Sequence, residues 1–134
     1  MSHSLSRWHN RRMFVVTRHR VPLSDREAWM MQAKSAAASL AAQPGCLGVD
    51  IGAATDAEDL LCLVSRWKTV GDYRRALSAF DVKLHAIPFL SHALDEPSAF
   101  ETLHSNVGGV VSDFESFRAV DADSFNLGDI RSDD

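Results

Sequence analysis

The 134-residue chain predicts an α+β fold in the order β-α-β-β-α-β, with a four-stranded antiparallel sheet and its helices on one face. Three observations predict it. Segments 13–21, 46–53 and 60–68 are rich in apolar and β-branched residues and have the length of strands. The alanine-rich stretch between the first two carries its apolar residues at helical spacing. The second and third strand segments are separated only by the acidic turn Thr55-Asp56-Ala57-Glu58-Asp59, so they form an antiparallel hairpin, since a parallel pair needs a long crossover.

Each element follows from local chemistry. Met13 to Val21 stops at Pro22, which cannot continue a sheet ladder. Ser24-Asp25-Arg26-Glu27 has the spacing of a capping box and predicts a helix starting at Asp25. Trp29, Ala33, Ala36, Ala37 and Leu40 form its inner stripe, and Pro44-Gly45 ends it. With a turn centred between Asp56 and Ala57, Cys62 falls opposite Ile51 and Trp67 opposite Cys46, which keeps the two thiols apart. Thr69-Val70-Gly71-Asp72 caps a second helical region with Tyr73, Leu77 and Phe80 on one stripe. After a break at Phe80-Asp81, a second stripe of Val82, His85, Ala86, Phe89, Leu90, Ala93 and Leu94 is kinked or restarted at Pro88. Ser98 to His104 has room for a short fourth strand. This order is that of a ferredoxin-like split βαβ unit.

Composition bounds the function. With 46% hydrophobic and 24% charged residues, the chain can build one modest core, so a single domain at 13–104 is expected. A basic extension, 1–12, contributes +3 from Arg7, Arg11 and Arg12. A tail, 105–134, sets seven acids against Arg118 and Arg131. Its richness in Ser, Asp and Gly favours flexibility, although Val107, Val110, Val111, Phe114 and Phe117 have the spacing of a short amphipathic helix. A body this close to neutral has no nucleic-acid footprint. No early apolar run reaches the length of a signal peptide or a membrane span, so a cytoplasmic protein with no membrane partner and reduced Cys46 and Cys62 is expected.

The third strand is apolar on both faces, Leu61 and Leu63 on one and Leu60, Cys62 and Val64 on the other. Two helices cover only one face, so the other calls for a second copy of the chain, packed sheet to sheet as a homodimer. Trp67 ends this strand where a helix begins, a position at which folds of this kind place pockets, and it is the leading candidate for a site. Its plain alternative is a core aromatic. Tyr73, in the first helical turn, either packs its ring at the rim or donates to a bound oxyanion, and His85 is either a hydrogen-bonded core histidine or a general base. Alternation puts Arg18 and His19 on opposite faces of the first strand, without telling which faces the pocket. The six histidines are scattered, which disfavours a metal.

Pro44-Gly45-Cys46-Leu47-Gly48, Val64-Ser65-Arg66-Trp67, Tyr73-Arg74-Arg75-Ala76-Leu77 and the histidine-containing stretch to Leu94 resemble the antibiotic biosynthesis monooxygenase family over residues 13–104. The resemblance implies a dimeric α+β barrel, formed from the sheets of two chains. It also implies oxidation of a phenolic or quinol-like aromatic small molecule with O₂ as co-substrate and no cofactor or metal. The substrate anion supplies the electron, and the protein supplies an apolar slot, donors for the anion and exclusion of water. Trp67 and Tyr73 match the strand-end tryptophan and helix tyrosine of quinone-forming members; with His85 they make up the expected catalytic set, and Leu63, Phe89 and His19 are the expected pocket residues. Leu63 stands where those members carry an asparagine, which removes a polar contact. Haem-degrading relatives use a first-strand asparagine and a helix tryptophan that this chain lacks. A dimer that binds an apolar ligand without turnover is the alternative reading from another class.

Overall fold

The computed structural model describes residues 11–115. Strand β1 (Met13–Arg20) alternates strictly, with Met13, Val15, Thr17 and His19 buried on one face and Arg18 and Arg20 exposed on the other. It pairs antiparallel with β3 (Leu60–Trp67) along its whole length, Met13 facing Trp67 and His19 facing Leu61. β3 pairs on its other side with β2 (Cys46–Ala53), and β1 pairs with the short β4 (Ala99–Glu101), giving the sheet order β2-β3-β1-β4. The expected ferredoxin-like α+β fold is therefore present.

Helix α1 (Arg26–Ala41) lies on one face of the sheet through Ala33, Ala36 and Leu40, all at most 1% exposed. Alanines at the contact let the helix axis approach the sheet closely, and Leu40 fills the remaining volume. The expected capping box does not form. A 3-10 turn over Leu23–Asp25 precedes α1, and Asp25 caps it without a side-chain hydrogen bond. Pro22 sets the entry angle, and its carbonyl accepts from the Asp25 amide, so Ser24 lies inside the 3-10 turn and not at a cap.

In the β2–β3 hairpin Trp67 faces Cys46 as expected, but Ile51 faces Leu63 and Cys62 faces Gly52. An irregularity between Cys46 and Gly48 inserts one residue, Leu47, and shifts everything beyond it. Both cysteines are free thiols. Gly45 reaches φ +88°, and a Cβ there would collide with the Asp72 carboxyl group, so glycine is required where the chain enters β2.

After β3, the Thr69 hydroxyl accepts from the Asp72 amide at 3.0 Å and starts α2 (Val70–Leu77). Two further short helices follow, α3 (Phe80–His85) and α4 (Ile87–Leu90), so of the expected kink or restart at Pro88 the structure has the restart, with Pro88 in the first turn of α4. The buried positions on them are Val82, Ala86 and Phe89. His85 flanks that stripe on its solvent side and is exposed, which corrects the expectation that it lies on the apolar face.

Residues 105–113 also depart from expectation. Instead of a flexible segment or a helix through Val107, Val110 and Val111, strands β5 (His104–Val107) and β6 (Val110–Asp113) form a hairpin. Gly108 and Gly109 adopt φ +57° and +84°, the pair of positive angles that a two-residue type I′ turn needs. The turn outweighs the helical spacing of the valines, which are β-branched and suit strands. Phe117 and the rest of the acidic tail lie outside the described residues, as does most of the basic extension.

Candidate functional site

The helix-facing side of the sheet carries the core, and within it a few polar side chains that hold one another. Trp67 is fully buried, and its indole N–H donates to Ser65 Oγ at 2.8 Å. Period two along β3 puts Ser65 on the same face, so the donor is satisfied within the strand. The Trp67 ring meets the Tyr73 ring at 5.3 Å between centroids, tilted by 57°. Cap formation at Thr69 places Tyr73 one turn later, directly against the strand end. Burial pushes the Tyr73 phenol up, so it stays protonated at neutral pH and keeps an O–H to donate.

His19 and Phe89, expected to line the same pocket, meet elsewhere. His19 is 2% exposed, with its ring 4.7 Å from Phe89 and 5.4 Å from Trp29, while Trp29 and Phe89 are themselves 5.2 Å apart. Strand β1, helix α1 and helix α4 thus each contribute one ring to a box. His19 Nε2 lies 3.0 Å from Thr17 Oγ1, and Thr17 is 3.4 Å from the Leu63 carbonyl oxygen. Burial holds His19 below the ordinary histidine range, and His92 adds a smaller push in the same direction.

Met13, which faces Trp67, and His19 are six positions apart on β1, so the two groups stand roughly 20 Å apart along the strand. Leu63 lies between them, opposite Thr17, and is 1% exposed. The residues expected to form one cluster therefore divide into a Trp67–Tyr73 end and a His19–Trp29–Phe89 end, with Leu63 in the middle. His85 belongs to neither. Thr17, Ser65 and Trp29 were not foreseen as site residues. For Thr17 and Ser65 the signal was present in the alternation of β1 and β3, where Thr17 and His19 share a face with Val15, and Ser65 shares one with Leu63; for Trp29 it was the inner stripe of α1.

Among the described residues no group of three His, Cys, Asp or Glu side chains is placed to hold a metal ion, and no helix is long and apolar enough to cross a membrane. Burial raises the Cys46 thiol, which makes it a poor nucleophile at neutral pH.

No helix among the described residues covers the opposite face of the sheet. Phe14 and Phe100 stack there at 5.6 Å, beside Val16 and Val64. Ion pairs border this apolar centre: Arg18 with Glu96, Arg20 with Asp59 and Arg66 with Asp50.

Comparison with known proteins places this geometry. The family model described as Antibiotic biosynthesis monooxygenase matches residues 12–83. Among solved structures, SnoaB of Streptomyces nogalater, a cofactor-independent oxygenase, is 21% identical with a TM-score of 0.60, covering 70% of this chain and 95% of its own. A conserved protein of Bacteroides thetaiotaomicron, described as of unknown function and a possible oxidoreductase, is 17% identical with a TM-score of 0.60, covering 69% and 99%. A Mycobacterium tuberculosis protein is 15% identical with a TM-score of 0.58, covering 72% and 99%. At these identities the likeness establishes the shared fold. No curated protein matches the chain.

Proposed function

Because the chain belongs to the antibiotic biosynthesis monooxygenase family, we propose that it is a cofactor-independent oxygenase acting on a phenolic or quinol-like aromatic, as a homodimer. The observation that carries this reading is the character of the helix-facing interior. It is aromatic and apolar, and its polar side chains are neutral groups poised to donate or accept a proton: the protonated Tyr73 hydroxyl, and the His19 imidazole held by Thr17. Such an interior suits a ring that must lose a proton and pass an electron to O₂ away from water. SnoaB, which shares the fold, is described as an oxygenase of this class.

In this reading Trp67 shapes the strand end, since its N–H is already taken by Ser65, and Tyr73 is the donor at that end. The satisfied indole also supports the alternative of a binding dimer without turnover, because Trp67 then needs no role beyond packing. Localisation in the cytoplasm remains part of the proposal.

The test is O₂ uptake by purified, metal-free protein offered anthrone and naphthol-type phenols. Quinone formation is expected, with Tyr73→Phe lowering turnover by about a hundredfold to a thousandfold, the range for loss of one donor to a developing anion. Binding of these phenols with no O₂ uptake across the panel would overturn the oxygenase and leave the binding dimer.

A further inference from the structure

His19 occupies a chemical position that neither family membership nor the Trp67–Tyr73 pair accounts for. It is a titratable side chain at 2% exposure, walled by the rings of Trp29 and Phe89, and its polar contact is Thr17. Counting protons assigns its tautomer. The Thr17 hydroxyl has one proton and two acceptors in reach, the Leu63 carbonyl oxygen and His19 Nε2. Were it given to Nε2, the ring N–H would sit on Nδ1, where no protein acceptor is in reach, and Thr17 would make one internal hydrogen bond in place of two. Nearly buried polar groups favour the arrangement that satisfies more of their donors within the protein. The favoured arrangement therefore has Nε2–H donating to Thr17 Oγ1 and the Thr17 hydroxyl donating to Leu63 O. The lone pair of Nδ1 stays uncommitted. Among the described residues the fully buried, unpartnered side-chain atoms are Arg11 Nε and Arg26 Nε. Nδ1 is not one of them, and so keeps a narrow opening to solvent.

We propose that His19 is the proton-accepting residue of this protein, taking the acidic O–H or ring C–H proton of an aromatic substrate onto Nδ1. In that step the substrate O–H or C–H bond breaks and Nδ1–H forms. The electron pair stays on the substrate as a delocalised anion, and His19 becomes an imidazolium that still donates through Nε2 to Thr17. Phe89 stacks on the imidazole and Trp29 meets it in a T-shaped contact, so the ring sits in an aromatic surround of the kind a planar substrate shares. The groups facing His19 from the packed elements are Leu61 of β3, Trp29 of α1, Phe89 of α4, and His92 after α4; Arg18 and Arg20 lie on the other face of β1. With no carboxylate acting on it, the imidazole is held neutral and ready to accept, and it gives the proton back readily. The inference rests on the oxygenase reading for the fate of the anion, and not for the proton transfer itself.

Two measurements test it. Nitrogen-15 spectra of the histidine rings in the whole protein are expected to show His19 neutral at pH 7 with its proton on Nε2; a proton on Nδ1 would overturn the assignment. Second, the protein is mixed anaerobically with a dihydroxyanthrone, whose coloured anion is read by absorbance. Wild type is expected to form the bound anion, and His19→Gln and Thr17→Val to lower its rate of formation by about a hundredfold. Thr17→Val keeps the imidazole and the strand packing, and guards against a failure of His19→Gln to fold. No anion in wild type, or an unchanged rate in both variants, sinks the proposal. Air admitted afterwards separates the two readings, since anion formation without O₂ uptake retains His19 as the base and removes the oxygenase.

Discussion

At the scale of single residues, the interior depends on short polar links that leave few groups unpaired. Ser65 is worth more than its size, because it takes the N–H of a tryptophan that is fully buried. Ser65→Ala is expected to cost about 1–3 kcal/mol in chemical denaturation, the range for a buried donor left unpaired. His19 carries a pH dependence of definite sign. Its folded pKa lies below the unfolded value, so the unfolded chain binds more protons in the window between them. Stability is therefore full above the ordinary histidine range of about 6.5 and is lost as pH falls from there through the folded pKa. Denaturation midpoints measured across that window should fall for wild type and fall less for His19→Gln; equal slopes would show that His19 does not titrate differently on folding. The alternation that buries His19 was legible in β1, but its partners were not, because Trp29 and Phe89 lie 10 and 70 positions further along the chain.

At the scale of elements, the strands and α1 were legible because their periodicities are local and strong. The boundaries that failed did so for identifiable reasons. The capping box at Ser24 has the right spacing, yet Pro22 diverts the chain into a 3-10 turn first. The restart at Pro88 was legible, but the stripe was drawn through His85, whereas in α3 and α4 Val82, Ala86 and Phe89 define the inner face. The valines of 107–111 fit a helix by spacing and a hairpin by turn chemistry, and Gly108-Gly109 decides for the hairpin. Gly109→Val places a β-branched side chain at φ +84° and is expected to cost about 1–2 kcal/mol locally. Amide exchange in β5 and β6 should accelerate by about tenfold or more for each 1.4 kcal/mol lost; unchanged protection would show that the turn does not hold the hairpin.

At the scale of the whole molecule, the unoccupied question is the second face of the sheet. Phe14, Val16, Val64 and Phe100 make an apolar centre bordered by three ion pairs, an arrangement with the anatomy of an interface, dry in the middle and polar at the rim. The proposed homodimer buries it against its own copy. Sedimentation at micromolar concentration should give twice the chain mass, and Phe14→Asp should return a monomer by placing a charge in the middle of the patch. A monomeric wild type would sink the dimer and leave an exposed apolar face to be explained.

The sequence by itself determined the order of the four sheet strands, the two-sided apolar character of β3 and the family, since each is written in local periodicity or in short motifs. Only the tertiary structure decided that Trp67 and His19 stand at opposite ends of one interior, that the Trp67 donor is spent on Ser65, and that His85 faces solvent. Those outcomes depend on strand register, a single bulge at Leu47 and the break between α3 and α4, and a shift of one residue in any of them would exchange buried for exposed side chains.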